Sequence, residues 1–406
     1  MRRSRSFLVL GFLVFTAALT APAHGAVKRM FVTSAYGNAN LGGWPVIAGQ
    51  NKTGAAAGDA ICQTLAAQAG LTNPAAFRAW LSTATDDAFC RVRSSSGHGT
   101  RAGRCGGIDP LVFAILTAGP WVRTDGYPFA PKEPQLAKAV GGAVLVPALF
   151  DELGNPVDPG LTFGWTGTAA DGTALPQRCN DWTSANVGTA GMLGHASETT
   201  VHWTDEGAPG TCNSQQHLYC FETGTNGDPL PAVEAPGALA FLTSARGTGN
   251  LASWPGAQGT GIAAGDSICQ AAAAAGGLPS PGSFRAWLSF ARGDAVDRFT
   301  IDGPWKRPDG TLVALSKADL TDGQLWSTIT QDEMGNYAAP TSVWTGTYAD
   351  GTAAVAHDCG RWTDGSGANE GLVGTAMHSL GTWTDVVDVR CDYFFSLYCL
   401  SDTVTP

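Results

Sequence analysis

The chain has 406 residues, enough for two domains by size alone. Its formal net charge is −10 and only 14% of its residues are charged, so nucleic acid and anionic lipid are poor partners for it. Fifty-three glycines and ten cysteines favour a loop-rich, disulfide-tied chain over a helical one.

Residues 1–25 read as a secretory signal peptide. Arg2, Arg3 and Arg5 precede an apolar run from Phe7 to Ala18, and small residues follow around Ala21 to Gly25. The run is shorter than the ~20 residues of a spanning helix, and no later segment could span a membrane. The expected location is therefore secreted, extracellular or at the cell surface. In that compartment the cysteines should be oxidised.

Residues 26–224 and 238–402 read as two copies of one domain. Residues 225–237, with Pro229, Pro231 and Pro236, read as a stiff linker. Phe31-Val-Thr-Ser-Ala35 returns as Phe241-Leu-Thr-Ser-Ala245, each a short strand. Ala-rich segments follow, carrying Asp59 and Cys62 or Asp266 and Cys269, and read as helices closed by Gly70 and Gly276. The two aspartates are expected in the first helical turn, where a carboxylate suits the dipole. Phe77-Arg-Ala-Trp-Leu-Ser82 returns letter for letter as Phe284-Arg-Ala-Trp-Leu-Ser289. Large residues on both faces predict a central, buried strand. Arg78 and Arg285 on that strand need partners, and Asp59 and Asp266 are the candidates.

Further on, Trp121 and Arg123-Thr-Asp-Gly126 match Trp305 and Arg307-Pro-Asp-Gly310 as strand–turn signals. Trp165, Cys179, Trp182, Trp203, Cys212 and Leu218-Tyr-Cys220 match Trp344, Cys359, Trp362, Trp383, Cys391 and Leu397-Tyr-Cys399. Of the thirteen tryptophans, only Trp326 has no counterpart. Large aromatics dominate burial, so most of the matched indoles belong to the core, leaving one or two at most as an exposed sugar platform. Cysteine count alone leaves three connectivities for the four of the second copy and fifteen for the six of the first.

This order of helix cysteine, Phe-Arg-Ala-Trp-Leu-Ser, Trp-x-Gly, a cysteine just before a Trp, and a closing Leu-Tyr-Cys resembles the endostatin domain of certain collagens. It also resembles a bacterial secreted-domain family of unassigned function. Both belong to the C-type lectin-like fold, and the resemblance spans nearly all of both copies. It implies two α+β domains, each a twisted, mostly antiparallel sheet with one or two short helices and long disulfide-tied loops. It also implies nested disulfides, Cys62–Cys220 around Cys179–Cys212 and Cys269–Cys399 around Cys359–Cys391, with Cys90 and Cys105 closing their own hairpin. The family's functional residues do not carry over. Val27-Lys28-Arg29 offers no zinc histidine, the chain is acidic where the family's heparin surface is a set of arginines, and Cys179-Asn180-Asp181-Trp182 and Cys359-Gly360-Arg361-Trp362 lack the order of the calcium lectins.

No Gly-x-Ser-x-Gly, His-Glu-x-x-His or phosphate-binding glycine loop is present. His98, His195, His202, His217, His357 and His378 have no counterparts between the copies, which excludes a histidine site common to both. The acids common to both are Asp151, Glu152 and Asp171, with Asn155, against Asp332, Glu333 and Asp350, with Asn336. Their oxygens are candidate calcium ligands, and equally good turn formers. No cofactor is otherwise required. The spacing between matched residues falls from 207 at the Phe-Arg-Ala-Trp strand to 184 at Gly-Pro-Trp, an insertion of 23 residues in the first copy. That segment holds Arg91, Arg93, Arg101 and Arg104 between Cys90 and Cys105, and reads as a basic finger able to contact an anionic ligand. The functional expectation is a non-enzymatic protein that binds an extracellular glycan or matrix protein. The alternatives are a hydrolase with a loop carboxylate site and a purely structural surface protein.

Overall fold

The computed structural model describes residues 27–108, 118–131, 144–224, 236–291 and 293–405. Residues 1–25, read above as a signal peptide, and nearly all of the expected linker lie outside them. The first copy contains β1 (Lys28–Val32), α1 (Gly54–Gln68), β2 (Phe77–Ala79), the short helix α2 (Ala88–Arg91), β3 (Trp121–Arg123) and β4 (Pro128–Ala130). It continues with β5 (Phe163–Trp165), β6 (Ala190–His195), β7 (Pro209–Thr211) and β8 (His217–Glu222). These eight strands form one mixed sheet in the order β4-β3-β1-β8-β5-β6-β7, with β2 also paired to β8. β1 runs parallel to β3 and β5 parallel to β8.

The second copy repeats this plan with β9 (Ala238–Leu242), α3 (Ile262–Ala275), β10 (Phe284–Ala286), β11 (Trp305–Lys306) and β12 (Leu312–Ala314). Then come β13 (Ser342–Trp344), β14 (Glu370–Thr375), β15 (Val387–Arg390) and β16 (Ser396–Ser401), giving the order β12-β11-β9-β16-β13-β14-β15 with β10 on β16.

The Phe-Arg-Ala-Trp strand is not central. β2 has three residues and pairs on one side only, with β8. The central strand is β8 itself, which takes β1 along one edge and β2 and β5 in line along the other. Period-two alternation then sorts the core into two layers. Phe31, Phe77, Ala79 and Leu81 face α1 and Cys62, while Met30, Val32, Trp80, Trp121 and Phe221 pack on the opposite side. Large residues on both faces of β2 therefore report a helix on one side and a second core layer on the other.

Five disulfides are present: Cys62–Cys220, Cys90–Cys105, Cys179–Cys212, Cys269–Cys399 and Cys359–Cys391. They are the pairs implied by the resemblance. Each outer bridge ties the long helix to the central strand, and a loop of that length contributes ~5 kcal/mol in the chain-entropy account. Ten tryptophans are fully buried, while Trp44 is 3% and Trp254 5% exposed, so the matched indoles form no surface platform. Their N–H groups meet equivalent acceptors in both copies. Trp80 donates to Thr204 Oγ1 and Trp287 to Thr384 Oγ1, while Trp182 donates to the Ser82 carbonyl and Trp362 to that of Ser289. Helix α1 is followed by left-handed Gly70, as expected, but α3 reaches that conformation at Gly277, one residue beyond Gly276.

More than the linker joins the copies. The Thr199 amide donates to the Met377 carbonyl at 3.2 Å, and the Ser379 amide to the Ser197 carbonyl at 3.1 Å, around an antiparallel bridge between Glu198 and His378. Arg123 Nη1 donates to the Trp326 carbonyl at 3.1 Å, and Arg307 Nη1 to the Leu145 carbonyl at 2.8 Å. In the repeat frame 197, 198 and 199 correspond to 377, 378 and 379, and 145 corresponds to 326. The contact is thus reciprocal, a local two-fold between unlike halves. Both arginines are fully buried, and each is also held by the aspartate two residues on. Trp326, the one unmatched tryptophan, packs on Phe150 of the first copy with tilted rings whose centroids are 5.2 Å apart.

Candidate functional site

The carboxylates common to both copies are engaged in local turns. Asp151 Oδ1 accepts from the amides of Leu153 and Asn155 at 2.9 Å, and Asp332 Oδ1 does the same for Met334 and Asn336. Asn155 and Asn336 turn their amide groups back onto the same aspartates. Glu152 accepts from the amide and hydroxyl of Ser34, and Glu333 from those of Ser244. Asp171 and Asp350 each accept from the amide and hydroxyl of the threonine two residues on, at Thr173 and Thr352. These are Asx-type turns and strand-end clamps. Among the described residues no group of three His, Cys, Asp or Glu side chains is arranged to hold a metal.

Asp59 and Asp266 lie in the second turn of their helices, not the first, so the dipole is not their role. Asp59 is nearly buried. It accepts from the Ala79 amide at 3.0 Å and pairs with Arg91 at 2.6 Å and Arg78 at 3.3 Å. Asp266 accepts from the Ala286 amide, pairs with Arg298 at 2.6 Å and reaches Arg285 at 4.0 Å. The expected partners do meet, but the tighter ion pairs go to Arg91 and Arg298, thirteen residues further on in both copies.

That geometry corrects the reading of the insertion. The match with a spacing of 207 continues through Asp87 and Asp294 to Arg91 and Arg298, so the extra residues begin after Arg91. Arg91 and Arg93 are buried, at 6% and 7% exposure. Arg101 donates to the Asp171 carbonyl and lies over the Phe89 ring at 4.7 Å. Of the four, Arg104 alone is exposed. Within the Cys90–Cys105 segment two of the four arginines are buried and a third is held by the domain, so they do not form a basic finger, although the stretch from Ser95 to Arg104 is largely exposed.

The copies differ most visibly at the turn before the closing strand. In the first copy this turn is Ser214-Gln215-Gln216; in the second it is Tyr393-Phe394-Phe395. The same main-chain pairing holds both. Gly37 and Gln216 exchange amide-to-carbonyl bonds at 3.0 and 2.9 Å, and Gly247 and Phe395 exchange theirs at 3.0 Å. Tyr393 is 52% exposed and Phe394 65% exposed. Phe395 lies between, stacked on Tyr393 at 5.9 Å and edge-on to Trp344 at 5.0 Å. Beside them is an open groove of about 410 Å³ lined by Arg246, Pro340, Thr341, Ser342, Thr375, Phe394 and Phe395. Ser342 and Thr375 are cross-strand partners. Their counterparts are Phe163 and His195, also paired, whose rings touch edge-to-face at 4.4 Å. Two small hydroxyl side chains thus leave open what two rings occupy in the first copy. The sequence carried this signal as an aromatic triplet unmatched in the repeat.

No protein-family model matches the chain, and a search of curated proteins finds no match either. Among the described residues no helix is long and apolar enough to cross a membrane.

Proposed function

We propose that the chain is a secreted, non-enzymatic binding protein built from two endostatin-like domains of the C-type lectin-like fold, and that it recognises an extracellular glycan. The helix tied to the closing strand and the nested bridges support the fold reading. The observation that carries the function is the aromatic turn of the second copy. Tyr393 and Phe394 are exposed to solvent on a backbone that the first copy builds without aromatics. Exposed aromatics beside a hydroxyl-lined groove suit the apolar face and hydroxyl rim of a sugar ring. The candidate carboxylates Asp151, Glu152 and Asp171 and their counterparts, which a hydrolase would need free, accept from turn amides, threonines and serines instead.

A glycan array, probed with and without calcium, tests this. Binding should appear in both conditions and fall at least tenfold in Phe394→Gln, which installs the residue of the first copy. Absence of binding, or turnover of a bound glycan, would overturn the reading.

A further inference from the structure

The groove combines the aromatic turn with one cation. Arg246 is its only charged lining residue and is exposed. Several other arginines are committed to carboxylates: Arg123, Arg298, Arg307 and Arg390 each hold one within 2.7 Å. Arg246 makes no ion pair or side-chain hydrogen bond among the described residues. Its counterpart in the first copy is Tyr36, whose ring lies edge-on to His217 at 5.5 Å. The cation, the aromatic pair and the open groove therefore occur together, and only in the second copy.

We infer that this groove takes an acidic sugar, with the ring face on Phe394 and Tyr393 and the anionic substituent on Arg246. The inference rests on the glycan reading above and adds the charge of the ligand. A planar guanidinium offers parallel N–H donors that match a carboxylate or sulfate, which a hydroxyl cannot equal. Thr341, Ser342 and Thr375 supply hydroxyls that can exchange hydrogen bonds with the rest of the ring. A neutral sugar could accept only ordinary hydrogen bonds from Arg246, weaker than the charge-assisted pair an anion makes. On a chain of net charge −10, long-range attraction does not favour an anion, so selectivity must come from this local contact.

The test uses the intact chain and three immobilised polymers: polygalacturonate for the carboxylate, dextran sulfate for the sulfate, and dextran as the neutral arm. The wild type should bind at least one acidic polymer about tenfold or more tightly than dextran at low salt, and the preference should shrink as salt rises. Arg246→Gln should remove that preference and leave dextran binding unchanged. Phe394→Gln should weaken all arms together. All three proteins should melt alike, since both side chains are exposed. Equal affinity for acidic and neutral polymers, or an Arg246→Gln variant that keeps the preference, overturns the acidic assignment and leaves the glycan reading standing. Failure to bind any polymer here or on the array overturns both.

Discussion

Acidification should loosen the contact between the copies, and His195 sets the window. The residue ends β6, with its ring edge against Phe163 and its face 6.0 Å from that of His378. Nδ1 shares a hydrogen bond with the Ser197 hydroxyl at 2.6 Å. Burial is the main reason its pKa drops from 6.5 to about 4; Glu198 opposes the drop, while His378 and His202 add to it. The folded pKa lies below the unfolded one, so the unfolded chain binds the extra proton first. The stabilising contribution is complete above pH ~6.5 and is lost as pH falls toward 4. A shift of this size corresponds to about 3 kcal/mol. Glu198 acts in the same sense at lower pH. Burial pushes its carboxyl up, but the hydrogen bond and charge of His378, 2.7 Å away, bring it below the ordinary value. Glu206, raised mainly by burial, is the other acid near this cluster. Denaturant unfolding of the oxidised protein at pH 7.5 and pH 4.0 measures the loss. His195→Thr, the residue of the second copy, should start less stable but lose about 3 kcal/mol less between these two values. Parallel losses in wild type and variant would refute the assignment to His195.

Other substitutions separate the scaffold from the groove. Arg307→Met should cost about 2–3 kcal/mol, because it removes a fully buried guanidinium and its hydrogen bonds and leaves the half-buried Asp309 without its cation. Despite its burial, that carboxyl is held at about 2 by the Arg307 guanidinium, and its titration should move up in the variant, read by NMR. Arg91→Ala and Arg298→Ala should each cost about 2 kcal/mol in urea unfolding, since each withdraws the closest cation from a largely buried aspartate. Matching losses would confirm that Arg91 belongs to the repeat, whereas a neutral Arg91→Ala would return it to the loop. Addition of EDTA should leave the melting temperature unchanged within error, because the oxygens of Asp151, Glu152, Asp332 and Glu333 already serve backbone and serine donors; a drop of several degrees would indicate a bound metal.

Much of the scaffold was legible because the chain states it twice. Each matched tryptophan and cysteine constrains both copies, and chance does not repeat a spacing so often. The same doubling shows where single-stretch reasoning went astray. Alternation along Phe77 to Ser82 reports two buried faces, and a strand covered by α1 looks the same as one flanked by strands. The Arg91–Asp59 pair is masked in the sequence because a basic, Ser- and Gly-rich segment begins where the repeat frame still continues. Spacing from Arg78 to Arg91 and from Arg285 to Arg298 was the available signal. The contact between the copies was hidden for a different reason. It uses main-chain carbonyls at Leu145 and Trp326, which carry no side-chain signature. Only the orphan Trp326 marked it.

Divergence between the copies falls where identity would fail. On the local two-fold each residue meets its own counterpart, so an unchanged repeat would set glutamate against glutamate or histidine against histidine. Glu198 faces His378 instead, at 2.7 Å, and the bulky Trp326 finds Phe150 while its own counterpart is the smaller Leu145. A charge pair of this kind can form only between unlike halves, which favours the joined chain over association of identical copies. The groove follows the same logic away from the axis. Ser342 and Thr375 open a space that Phe163 and His195 close, while the strands beneath keep one register in both copies. Substitutions that leave the sheet untouched have given one copy an exposed aromatic turn and an uncommitted arginine, and these are the positions at which a ligand can be sought without disturbing the fold.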